Sequence, residues 1–100
     1  HERSGTTRAL RDAVSREIQY FIVELSDYIH DTGINENIAM IQAEAMVAVI
    51  FNAGAESIAA KPSQKADLEA RAIKQLRFVA LGAALVNNSQ SDVRRNKKGE

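Results

Sequence analysis

The chain has no cysteine, no tryptophan, one proline and five glycines in 100 residues. Without cysteine there is no disulfide, no thiolate metal site and no cysteine nucleophile, and the composition suits a reducing compartment, so a cytoplasmic location is the expectation. One proline and few glycines leave little to interrupt long helices. Three phenylalanines and two tyrosines are too few to build a stacking platform for nucleic-acid bases. No segment alternates apolar and polar residues for long enough to predict a strand. There is also no glycine-rich phosphate loop and no Ser-His-Asp set that a small helical domain would position. No enzyme activity and no cofactor are therefore expected.

Histidine is nearly absent too. Asp27, His30 and Asp31 fall at i, i+3 and i+4, a spacing that can gather metal ligands on one helix face. It is equally the pattern of a solvated helix end, where a histidine is favoured by the helix dipole. With no second histidine apart from His1, no metal site is expected. The opening residues HERSGTTRALRDA lack an apolar signal-peptide core and read as an internal cut or an appended remnant. No membrane span is expected either. The apolar run AMVAVIF is flanked by Glu44 and Glu56, and FVALGAALV is shorter than the roughly 20 residues a span needs.

What is present is charge laid out in blocks. The net charge is zero, but the stretch from Glu17 to Ala60 holds seven acids and no lysine or arginine. Arg3, Arg8, Arg11 and Arg16 precede it. Lys61, Lys65, Arg71, Lys74, Arg77, Arg94, Arg95, Lys97 and Lys98 come after it.

Two punctuation marks divide the body. In HDTGIN, Gly33 can adopt the left-handed conformation that ends a helix, and Asn35 can cap the next. In AAKPSQ, Pro62 disfavours helix at Lys61, and Ser63 can cap the third helix. The reading is an all-α, three-helix antiparallel (up-down-up) bundle in a single domain over residues 1–88, with helices at about 7–30, 36–60 and 64–87. A polar, basic and mobile tail is expected over 89–100.

Each helix shows apolar lines. Leu10, Val14, Ile18, Phe21, Leu25 and Tyr28 alternate spacings of four and three on the first, with Ile22 and Ile29 widening the stripe. The second is apolar on every side from Ala45 to Phe51, as expected of a middle element with a neighbour on each of two seams. One seam runs through Met40, Ala43, Val47, Ile50 or Phe51, Gly54 and Ile58. The other, of small residues, runs through Ile41, Ala45, Ala48, Ala55 and Ala59. A narrow polar arc holds Gln42, Asn52 and Glu56. The third helix carries a core stripe of Leu68, Ala72, Leu76, Val79, Ala83 and Val86. On its opposite side Phe78, Leu81 and Leu85 continue a line that begins with Asp67, Arg71 and Lys74.

A three-helix bundle offers no second core for Phe78, Leu81 and Leu85. Covering each is worth about 1.5–3 kcal/mol, so self-association through helix 3 is expected, with Gly82 in the same turn allowing close approach. The functional expectation is a non-catalytic protein-interaction or oligomerisation module, a homodimer or higher oligomer acting as a small regulator or adaptor of another protein. A second reading is a nucleic-acid accessory protein using Arg8, Arg11, Lys61 and Lys65 at one end and Arg94, Arg95, Lys97 and Lys98 in the tail. A third is an oligomer holding a small ligand between subunits near Tyr20, Arg16 or His30.

Overall fold

The structure, a computed structural model, describes the backbone of residues 2–99 and the side chains of residues 5–90. It is all-helical, with α1 at Glu2–Asp31, α2 at Glu36–Ala59 and α3 at Pro62–Gly99, and no strand among the described residues. Two helices run longer than their apolar patterns. α1 already begins at Glu2, and α3 continues through the segment expected as a tail, because no proline or glycine separates Gly82 from Gly99. A helix needs only compatible residues to continue, not a buried face.

The first connection forms as its residues dictate. Gly33 has φ of 110°, the chain's positive-φ glycine, and its N–H donates to the His30 carbonyl at 2.9 Å, closing the end of α1. The Thr32 N–H and hydroxyl both donate to the Ile29 carbonyl, and His30 Nδ1 lies 2.8 Å from the Ile34 carbonyl oxygen. Asn35 then caps α2, its side-chain oxygen accepting from the Asn37 N–H at 2.9 Å.

The second connection differs in detail from the expected serine cap. Pro62 is the first residue of α3, where its fixed φ suits the helix and its missing N–H is no loss. The reach-back comes from Gln64, whose side-chain oxygen accepts from the Lys61 N–H at 3.1 Å, one half of a capping box.

α1 packs on α2, and α2 packs on α3, while α1 and α3 do not meet among the described residues. The buried cluster therefore lies between the first two helices: Ile22 and Ile29 of α1 against Ala39, Ala43 and Val47 of α2. Ile18, Leu25, Ile34, Met40 and Met46 surround it. Ile38 and the polar Ser26 and Gln42 are also buried. The line on α1 is thus Ile18, Ile22, Ser26 and Ile29, rotated from the expected seam, for Leu10, Val14, Phe21 and Tyr28 are exposed. The reason is fit. Ser26 and the alanines of α2 allow the helices to approach closely, which a line of Phe21 and Tyr28 would prevent.

On α3, Leu68, Ala72, Leu76, Val79 and Ala83 are half-buried as expected, whereas Val86 is exposed. They face α2 along Gln42, Ala45, Asn52, Ala53 and Glu56. Val79, Ala83 and Val86 pair with the start of α2, and Leu68, Ala72 and Gln75 with its end. Of the expected small seam, Ala45 and Ile41 lie beside α3, Ile41 with much of its surface exposed, while Ala48, Ala55 and Ala59 are exposed. Asn87 fastens the far end of the packing, accepting the Asn35 N–H at 2.7 Å and donating to the Gly33 carbonyl at 3.3 Å.

With its first and third helices apart, the molecule is open. Its radius of gyration is 18.1 Å, against about 13 Å for a compact domain of this length. It exposes 8077 Å², where a compact monomer of 11.0 kDa exposes about 5,600 Å². Among the described residues no large side chain is fully buried.

Asn87→Ala should lower stability by about 1–2 kcal/mol by leaving the Asn35 N–H without its partner. Gly33→Ala should cost about 1 kcal/mol through backbone strain alone. Thermal melts followed by circular dichroism read both; an unchanged melt for Asn87→Ala would show that α3 is not fastened there.

Candidate interaction surfaces

Because Leu68, Ala72, Leu76 and Val79 turn α3 toward α2, the residues two positions away turn outward, about 160° round the helix. Phe78, Leu81 and Leu85 are accordingly 69%, 59% and 68% exposed. A methyl group added at Gly82 would meet nothing within 4 Å, so the close approach this glycine permits is not made inside the chain. Lys74 sits one turn before Phe78 on the same line, and Arg77 is its neighbour, both exposed.

A second apolar surface lies on α1 and α2. Val14, Ile18 and Phe21, with Ala13 and Glu17, face Phe51 across a groove of about 370 Å³. Sequence reasoning placed Val14, Phe21 and Phe51 in the core, so it missed this surface. The signal available was that α1 carries two adjacent apolar lines, more than one neighbour can cover. A smaller apolar groove, of about 190 Å³, runs between α2 and α3 beside Ile38, Ile41, Val79 and Val86. Gln42 borders it and is buried rather than on a solvated arc. Its amide nitrogen lies 3.6 Å from the Met46 sulfur, and its carbonyl oxygen has no partner.

α2 itself is long and apolar enough to cross a membrane by length and composition, which corrects the exclusion drawn from Glu44 and Glu56, and 22% of that segment is buried within the chain. Glu44 is exposed in its interior, where a bilayer would charge about 2.5–3.5 kcal/mol for an ionised carboxylate on insertion scales.

Arg8 and Arg11 lie in the first half of α1, and Lys61 and Lys65 where α3 begins, all exposed. Arg94, Arg95, Lys97 and Lys98 lie outside the described side chains. Among the described residues no three His, Cys, Asp or Glu side chains are grouped to hold a metal ion. His30 is exposed with its ring nitrogen engaged by the Ile34 carbonyl, and Tyr20 and Arg16 are exposed on α1; the grooves are lined by other residues.

No protein-family model matches the chain, and no solved structure matches it.

Gln42→Leu should raise stability by about 1 kcal/mol, since it replaces an unpaired buried amide oxygen with an apolar group of similar size. Urea unfolding measures the shift, and a loss of stability would show that the amide is satisfied in solution.

Proposed function

We propose that the chain is a non-catalytic helical oligomerisation module, an up-down-up layer that self-associates through α3 and acts as a small regulator or adaptor. The observation that carries this reading is the outward line of Phe78, Leu81 and Leu85, three large apolar side chains on consecutive turns of a helix whose other side already packs on α2. Isolated exposed apolar residues are ordinary; a contiguous line of them marks a contact surface. The pairing of α3's end with the start of α2, and of Asn87 with the α1–α2 connection, supports the antiparallel course.

Area supports it as well. The chain exposes roughly 2,500 Å² more than a compact monomer of its mass, and a standard interface takes about 800 Å² from each partner. Basic residues on α3 alone do not favour nucleic acid, because the whole chain has no net charge with which to attract phosphates.

Sedimentation should show the native chain as an oligomer and Leu81→Glu as a monomer of unchanged helicity, with a dissociation constant raised roughly tenfold or more. A native chain that stays monomeric at high concentration contradicts the reading. So does salt-sensitive binding to DNA, or flotation with lipid vesicles, by a monomer.

A further inference from the structure

We propose that the groove between α2 and α3 is a binding site for a small neutral ligand, a single apolar ring that carries one hydrogen-bond donor for the Gln42 carbonyl oxygen. The groove lies on the side of α3 that packs on α2. It is therefore separate from the outward line of Phe78, Leu81 and Leu85, and from self-association.

Gln42 is only 9% exposed. Its side-chain oxygen is shielded from solvent and has no hydrogen-bond partner. A buried amide oxygen left in this state is destabilising, and folded proteins satisfy the large majority of such groups. The nitrogen of the same amide lies 3.6 Å from the Met46 sulfur. A thioether can accept a hydrogen bond and cannot donate one, so Met46 holds the nitrogen end and leaves the oxygen unpaired. Sulfur is a weak acceptor, and the terminal torsion of a glutamine is soft. A turn of the amide thus presents the oxygen to the groove that Gln42 borders.

The groove limits what can enter it. Ile38 and Ala45 of α2 and Val79 and Ala83 of α3 line it, together with Ile41 and Val86, which keep 65% and 50% of their surface exposed. Every residue lining it is uncharged, so a carboxylate or phosphate would enter without a counter-charge. An ionised carboxylate could not pair with the Gln42 oxygen in any case, since both are acceptors. The ligand is neutral and brings an O–H or N–H. Its size is set by a volume of about 190 Å³, where a cavity of about 150 Å³ accepts a benzene ring. Phenol meets each of these conditions.

Phenol and anisole share a ring and an oxygen, but only phenol has a proton to donate. Titrations of the native chain, followed by the amide resonances of Ala45 and Ala83, should show saturable binding of phenol. Anisole should bind roughly tenfold more weakly. Gln42→Leu should erase the difference between the two probes, and Ala83→Leu, which fills the groove, should abolish binding of both with helicity unchanged. The proposal is overturned by the absence of saturable phenol shifts, or by equal affinity of phenol and anisole for the native chain. A preference for phenol that survives Gln42→Leu, or native affinity in Ala83→Leu, overturns it as well. The comparison of the two probes on the native chain needs no variant to fold.

Discussion

The sharing of α2 by two neighbours that do not touch each other governs the rest of this structure. α1 lies against Ala39, Ala43 and Val47, and α3 against the line through Gln42, Ala45 and Ala53. Successive residues point about 100° apart on a helix, and at that separation the outer helices diverge instead of closing over a common core. In a closed three-helix bundle the third contact, α1 with α3, would bury the lines these helices carry on their free sides. Among the described residues that contact is missing, and many of the large apolar side chains stay exposed.

The surplus is organised. Small residues, Ala39, Ala43 and Ser26, are among the most buried, while large ones, Phe21, Phe51, Phe78, Leu81 and Leu85, are exposed. Close packing of small side chains fixes helix geometry but contributes less burial than large ones would. The molecule thus sets its architecture with alanine and with the hydrogen bonds around Gly33, Asn35 and Asn87. Its larger apolar side chains remain available for contacts between chains.

Much of this plan is legible in the residues. Gly33 and Asn35 mark the first connection because each has a conformational or hydrogen-bonding property few other residues share, and Lys61-Pro62 marks the second for the same kind of reason. The outward face of α3 is legible because Asp67, Arg71 and Lys74 identify its solvent side. α1 and α2 are harder. α1 has two adjacent apolar lines, and the one with the bulkier residues is not the one that packs, since Ser26 weakens the apolar signal of the line that does. α2 is apolar on every side from Ala45 to Phe51 and its polar residues do not mark one face, so neither the buried position of Gln42 nor the line that meets α3 can be read from pattern alone. Asn87 shows the same limit: its role depends on which loop the end of the apolar stripe reaches, a tertiary fact.

The central claim is that a single chain cannot finish covering its apolar surface and that another copy completes the fold. Anything that binds only the folded state raises the unfolding temperature with its own concentration. Melts of the native chain over a hundredfold range of protein concentration measure this directly. The account predicts a midpoint that climbs steadily with concentration, and a midpoint that stays constant with full helicity retained in the monomer would contradict it.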